Sequence, residues 1–436
     1  MSDVDLVRAR ESRARSSSWF APRFVGPLGG TSTLGDSLVA LRHLLWPNEL
    51  SQGPAIARYE EAFAGAIAVR YAYSFWAGRV GLYSLLLGLG LKSGDEVLLQ
   101  VPTHVVVANA IRYAGARPVY VDCELDSYNM DLAQAERQIT PRTKVLLLQH
   151  TFGNPVDLDR ALALAARHNL EVIEDCVHAL GATYRGRPVG SFGRAAFFST
   201  EETKTISSTM GGMVVTDDSE LAARVKAFQA ACALSSASQT ARYLLKFIAY
   251  YVLTEPHVFR LTRALYELMG RRHPLPRATT QEELHGKRPA NYEQRLSNAQ
   301  AALALRQLQR LDANVHHRRT VSAAYSAGLG RYGFSGPRTE ECAEPALVRH
   351  PIWVEDRPAV MRAARRSALL GDWFTSVLEE AASPPEGAYE RGSCPRAEAV
   401  AEHLVNLPNH QRVKPSDVEA IISTLAAVQP APKRAT

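Results

Sequence analysis

The stretch Phe198-Ser199-Thr200-Glu201-Glu202-Thr203-Lys204 places a serine five residues ahead of a lysine. It runs on into Gly211-Gly212 and the apolar Met213-Val214-Val215. A lysine at a tight backbone site can form a Schiff base with an aldehyde cofactor, and a serine hydroxyl can bind that cofactor's phosphate. Lysines near glycines are also commonly plain surface lysines. Asp175, at the end of Leu170-Glu171-Val172-Ile173-Glu174-Asp175, adds an acid twenty-nine residues upstream. An Asp after a strand is also a common helix cap.

The elements around these residues read as a parallel sheet. Glu96–Val101, Pro118–Asp122, Thr143–His150 and Glu171–Glu174 are short apolar strands. They alternate with the helical patterns Val105–Tyr113, Asp131–Gln138 and Asp157–His168. Strand–helix alternation gives βαβ units and a parallel sheet, whose ligands sit beyond the carboxyl ends of the strands. His104, Asp175 and Ser199 all follow strand ends, and Lys204 lies within reach of them. Gly78 opens the helical run Val80–Leu91; a helix start presents unpaired N–H groups that suit a phosphate, although a plain turn has the same look.

Composition narrows the class. The chain has 436 residues, is 46% hydrophobic and carries a net charge of +6. Its length suits a large domain plus a smaller one. Its basic residues form no dense block, which argues for phosphorylated small molecules over nucleic acid. Five scattered cysteines lack CxxC spacing, so no metal site is expected and a reducing cytoplasm is. No apolar run is long enough for a transmembrane helix.

Several stretches then carry a resemblance. Ala77-Gly78-Arg79-Val80-Gly81-Leu82, Gly94-Asp95-Glu96-Val97, Tyr113-Ala114-Gly115-Ala116, Val119-Tyr120-Val121-Asp122 and Glu174-Asp175-Cys176-Val177-His178-Ala179 stand in order. The lysine motif with Gly211-Gly212, and Tyr292 to Leu308, follow. From about Gln52 to Leu425 the chain resembles the DegT/DnrJ/EryC1/StrS aminotransferases, pyridoxal-phosphate (PLP) enzymes acting on keto-sugars and related ketones.

The resemblance implies an α/β fold: PLP-dependent transferase fold type I, aspartate-aminotransferase-like. That fold has a mostly parallel central sheet with helices on both faces and a smaller C-terminal α/β domain. The implied layout is a flexible arm over 1–33 and a large PLP-binding domain over 34–315. A small domain follows over 316–430, with a frayed tail at 431–436. The implied reaction moves an amino group from glutamate or glutamine to a nucleotide-linked keto-sugar, with pyridoxamine phosphate as intermediate, in a cytoplasmic homodimer with shared sites. Lys204 is the implied Schiff-base lysine, and Asp175 pairs with the pyridine nitrogen. His178 and His104 lie against the cofactor, and Ser199 with the backbone of Gly78 and Arg79 holds the phosphate. Asn291 and Arg295 stand near the family's cross-subunit phosphate contact, with Glu293 where its Asn is expected. Lys204 argues against the relatives that carry His there and remove a hydroxyl. A cyclitol or aromatic-precursor aminotransferase, a diverged PLP enzyme of natural-product biosynthesis and a non-catalytic sensor or scaffold are the other readings.

Four features are this chain's own. Arg79 stands where the family has Thr, its guanidinium free to take over the phosphate or face an anionic substrate. Glu201 and Glu202 read as solvent-facing, with tuning of the lysine as the alternative. A long insertion, about 233–290, reads as two amphipathic helices broken at Pro256. It is expected to pack on its own subunit or the dimer mate; a lid, partner-docking or membrane-surface element over 240–272 is the sharper alternative. Deleting 240–272 is expected to leave the PLP site intact. His316-His317-Arg318-Arg319 reads as a solvated charged face, Pro358–Leu370 as a helix, and Ser416 with Glu419 as the capping box of the last helix.

Overall fold

The computed structural model describes residues 23–27, 30–269, 279–381 and 389–428. The expected tail at 431–436 and most of the 1–33 arm lie outside these residues. Packing nevertheless begins ahead of Leu34. Phe24 and Val25 are buried, the Phe24 amide donates to the Pro256 carbonyl at 2.8 Å, and Arg23 pairs with Asp417 at 2.8 Å.

In chain order the first elements are α1 (Leu34–Leu45), α2 (Ala55–Ile67), β1 (Tyr71–Phe75), α3 (Gly78–Gly88), β2 (Glu96–Gln100) and β3 (Thr103–His104). Next come α4 (Val105–Tyr113), β4 (Arg117–Val121), α5 (Leu132–Gln138), β5 (Thr143–Gln149), α6 (Leu158–His168) and β6 (Glu171–Asp175). The hairpin β7 (Thr183–Tyr184) and β8 (Arg187–Pro188) leads to β9 (Ala195–Ser199), β10 (Gly212–Thr216) and α7 (Ser219–Ala231). The seven-stranded sheet runs β1-β10-β9-β6-β5-β2-β4, and β10 alone is antiparallel to its neighbours. Alternate residues of each strand feed two different cores. Val97, Leu99, Val145, Leu147 and Ile173 enter one, and Leu98, Leu146, Leu148 and Val172 the other. That is the period-two pattern of a sheet covered on both faces. Caps set the helix starts: Asp131, Asp157 and Asp218 each accept from a first-turn amide.

The insertion forms α8 (Ala237–Leu253), α9 (Phe259–Leu268) and the one-turn α10 (Gln281–Leu284). The break at Pro256 is observed. Leu244 and Phe247 of α8 pack with Ala40, Leu50, Ala299 and Leu303, so α8 is built into its own chain's body. Among the described residues no helix is long and apolar enough to cross a membrane.

The chain continues through α11 (Asn298–Leu308), α12 (Leu311–Gly330), β11 (Ala343–Glu344), β12 (His350–Trp353), α13 (Arg357–Ala364), β13 (Leu378–Glu379), α14 (Pro395–His403), β14 (Leu404–Leu407) and α15 (Pro415–Val428). Three expectations are corrected. Arg318 is not solvated: it is buried and donates to the Val348 and Asn409 carbonyls and to Asn314 Oδ1, because carbonyls of distant segments converge there. The helix expected over Pro358–Leu370 stops at Ala364, and Ala368 bridges to Val25 instead. At the start of α15, Asp417 rather than a Ser416–Glu419 box takes the Lys414 amide at 2.8 Å, a role open to it because Arg23 holds its carboxylate.

Candidate active site

Three chain segments meet beyond the carboxyl ends of β6 and β9. Successive strand residues face opposite ways, and the end of β6 uses both faces. Glu174 is fully buried and accepts amides from Gly190, Phe192 and Gly193 at 2.7, 2.8 and 2.7 Å, with His150 Nε2 at 3.1 Å. This pins the loop that feeds β9. His150 Nδ1 accepts the Val156 amide, so the buried His150–Glu174–Cys176 cluster has its histidine nitrogens and its carboxylate already engaged. Asp175 faces a cavity of about 910 Å³, which Gly78, Arg79, His104, His178, Ser199 and Lys204 also line.

Asp175 is 1% exposed. Its Oδ1 accepts the Val177 amide at 3.1 Å, and its Oδ2 is buried without a partner. Burial pushes its pKa up to about 6, opposed by the Val177 amide and by Lys204. Lys204 is pulled down to about 8 by burial, with Glu201 opposing and Arg349 adding to the shift. Its ammonium lies 4.5 Å from the centroid of the Trp373 ring. His178 is held neutral by burial and stacks on Phe152 at 6.1 Å; its Nδ1 is buried without a partner. His104 caps α4, accepts the Val106 amide on Nδ1, and places Nε2 3.3 Å from Glu380.

The start of α3 is a cradle. No side chain caps it, so its first amides have no partner of that kind. Gly78 is required by close approach: a Cβ there would lie 2.9 Å from the Phe198 carbonyl oxygen. A Cβ on Gly212 would lie 2.4 Å from the Gly78 nitrogen. The Gly211-Gly212 pair therefore lets β10 pass against the cradle.

These residues fit PLP. A buried carboxylate oxygen awaits a donor, an uncapped helix start awaits an anion, and a lysine of lowered pKa lies in the same cavity. Asn291 and Arg295 are not brought to this cavity within the chain: Asn291 is exposed, and Arg295 donates to the Gln229 and Ala230 carbonyls at the end of α7.

Two expectations about neighbouring charges are corrected. The Arg79 guanidinium is not free. Glu283 of α10 holds it, with Nε–Oε1 at 2.5 Å and Nη2–Oε2 at 3.0 Å, because the insertion folds back over the helix start. Glu202 is buried rather than solvent-facing, since Lys246 of α8 reaches its Oε1 at 2.8 Å. Sequence reasoning also missed Arg349 and Trp373. Arg349 is buried, lines the cavity, has an unpartnered Nε and lies 4.0 Å from the Trp373 ring centroid. Burial lowers its pKa to about 10. The signal for Arg349 was a lone arginine inside the apolar run Ala346-Leu347-Val348-Arg349-His350-Pro351-Ile352; Trp373 stood in an irregular stretch with no periodicity.

The chain is similar to known proteins along most of its length. The model of the DegT/DnrJ/EryC1/StrS aminotransferase family matches residues 35–426. GDP-perosamine synthase of Caulobacter vibrioides is 30% identical over 386 residues, covering 87% of this chain and 91% of that relative. Among solved structures, DesV of S. venezuelae is 26% identical at a TM-score of 0.70, covering 90% of this chain and 94% of its own. Sugar aminotransferase CalS13 of Micromonospora echinospora is also 26% identical at 0.70, covering 93% and 100%.

Proposed function

Because the chain belongs to the DegT/DnrJ/EryC1/StrS family and is a PLP-dependent aminotransferase, we propose that it moves an amino group from glutamate or glutamine to a nucleotide-linked keto-sugar. The observation that carries this reading is the meeting of Lys204, of lowered pKa, with the unpartnered Asp175 Oδ2 in one cavity. The relative at 30% identity is named for GDP-perosamine, which makes that amino sugar the first probe.

Bound PLP supplies an electron sink for amino transfer. Asp175 Oδ2 would accept a hydrogen bond from the ring nitrogen and so favour its protonated form. The first amides of α3, at Gly78 and Arg79, hold the phosphate with the Ser199 hydroxyl. His104 and His178 form the walls beside the ring. Lys204 Nζ would hold the aldehyde, and its amine would hold the proton taken from the substrate carbon. Its pKa of about 8 leaves a useful fraction as free amine near neutral pH. Arg349 takes the donor's carboxylate, since a buried guanidinium with a spare Nε suits a planar anion.

The working form in this reading is a cytoplasmic homodimer in which Asn291 and Arg295 serve the partner's phosphate site. Five unpaired cysteines, four of them buried, suit a reducing compartment.

The test is the absorbance of the protein with PLP, before and after L-glutamate, for wild type and Lys204→Ala. The expected result is a near-visible band that glutamate discharges and that the variant lacks. GDP-perosamine should discharge the same band in the reverse direction. A band that answers another amino acid but neither of these would sink the substrate assignment.

A further inference from the structure

The lysine turn holds a carboxyl that the chemistry at Lys204 does not use. Two glutamates precede Lys204 and their surroundings differ. Glu201 Oε2 stays within its own turn, accepting the Thr203 amide at 3.0 Å and the Thr203 hydroxyl at 2.6 Å. Glu202 reaches instead to the insertion. Lys246 Nζ lies 2.8 Å and the Tyr250 hydroxyl 3.0 Å from its Oε1. Its Oε2 is buried and has no hydrogen-bond partner from another residue. The side chain is 9% exposed and lines the cavity beside Lys204 and Tyr250. Burial pushes its pKa up to about 8, with Glu201 adding to the rise and Lys246 opposing it.

A buried carboxyl is costly unless both oxygens find partners. One oxygen of Glu202 has two, both from α8. The other has none among the described residues, in the wall of the cavity that also holds Lys204. Tyr250, Phe259 and Tyr266 bring aromatic side chains to the same cavity. Carboxyl oxygens that accept hydroxyls, next to rings that pack on C–H faces, are suited to a polyhydroxylated ring.

We propose that Glu202 is a specificity-determining residue for the keto substrate: its Oε2 takes a ring hydroxyl, while Lys246 and Tyr250 of the insertion hold the carboxyl in place. Helix α8 thereby helps decide which ring is accepted. The inference rests on the reading that the acceptor is a keto-sugar or a related hydroxylated ring.

The experiment follows discharge of the cofactor band in the holoenzyme by rapid mixing with three donors: L-glutamate, GDP-perosamine and the aminocyclitol scyllo-inosamine. For Glu202→Gln the expected result is a fall of up to about tenfold in kcat/KM for the hydroxylated donor that the wild type uses, mostly through KM, the loss of one buried hydrogen bond. Discharge by L-glutamate should stay within about twofold of wild type, less than the loss of a single hydrogen bond. Tyr250→Phe should show the same split more weakly. If Glu202→Gln does not fold, Glu202→Asp carries the same split, because it withdraws the carboxyl by one methylene and keeps the charge. A variant that handles the hydroxylated donor as well as wild type overturns the inference and leaves the proposed function standing. Equal losses with glutamate and with the hydroxylated donor overturn it too, by placing Glu202 in the support of Lys204. A wild type that glutamate discharges but neither ring donor does removes the acceptor reading and the inference together.

Discussion

Lys204 and Arg349 share one aromatic neighbour: the lysine ammonium lies 4.5 Å and the guanidinium 4.0 Å from the Trp373 ring centroid. A ring face favours both cations. Burial works against both, and for Lys204 it prevails, with Arg349 adding repulsion. Capture of PLP by the apoprotein needs the neutral amine, so its rate should rise with pH through about 8 and level off above. Arg349→Met removes the repelling cation and should move that midpoint upward. It should also raise the KM for L-glutamate by about tenfold or more if the guanidinium holds the donor's carboxylate. A pH profile of PLP capture and a glutamate titration check the two effects separately.

Asp175 makes a prediction about stability as well as activity. Its folded pKa, about 6, lies above the ordinary aspartate value of 3.8. The folded apoprotein therefore holds an extra proton between these values. The stability this carboxyl contributes is present below about pH 4 and lost as pH rises through 6. Near pH 7.5 the buried charge costs the apoprotein about 2–3 kcal/mol. Asp175→Asn should raise the apoprotein melting temperature at pH 7.5 and do little at pH 4. The same substitution should slow discharge by glutamate by about two to four powers of ten, the scale of losing a proton-managing group. Melts at the two pH values with matched kinetics decide it; a variant less stable than wild type at pH 7.5 would show that the Asp175 charge is not a burden.

What the sequence made legible was local. The strands expected over Thr143–His150 and Glu171–Glu174 end within one residue of that, at Gln149 and Asp175, and the helices expected from Asp131 and Asp157 start just after them; both follow from patterns a few residues long. Gly78 read as a helix start suited to a phosphate, but that it, Gly211 and Gly212 also mark a close backbone approach emerged only from the structure. The illegible parts depend on partners far away in the chain. Glu202 is buried because residues 44 and 48 positions later bond to it, and nothing near Glu202 announces them. Arg318 looks solvated in His316-His317-Arg318-Arg319 until the carbonyls of Val348 and Asn409 are brought to it. Arg349 and Trp373 each lack a motif and matter only through each other and Lys204.

The insertion is structural as well as lining. Leu244 and Phe247 of α8 are buried against α1 and α11 residues such as Ala40 and Leu303. Leu244→Ala or Phe247→Ala should cost about 2–5 kcal/mol. Deleting 240–272 also removes Tyr250 and Phe259 from the cavity wall, takes Lys246 away from Glu202 and bares that cluster. The expectation that this deletion spares the PLP site is therefore revised: the shortened protein should bind PLP weakly or fail to fold. Thermal melts of the point variants and a PLP titration of the deletion form test it.

Arg79 and Glu283 form a buried pair at the phosphate cradle, their side chains 7% and 1% exposed. Glu283 sits on a single helical turn closed by a capping box with Thr280, and Asn109 Nδ2 holds its carbonyl at 2.7 Å. Removing one member of such a pair leaves the other charge buried and uncompensated, at a cost of about 3–5 kcal/mol. Glu283→Ala should therefore lower the apoprotein melting temperature markedly. In the proposed binding mode PLP brings a phosphate dianion to the start of α3, where Arg79 stands as the second helical residue. In the variant that dianion becomes the arginine's nearest opposite charge, so PLP should raise the melting temperature more in Glu283→Ala than in wild type. Equal PLP-induced shifts in the two proteins would mean that the guanidinium does not reach the phosphate and that Glu283 serves the fold alone. Arg79→Thr in the Glu283→Ala background closes the cycle: it removes the orphaned charge and should recover much of the lost stability without PLP.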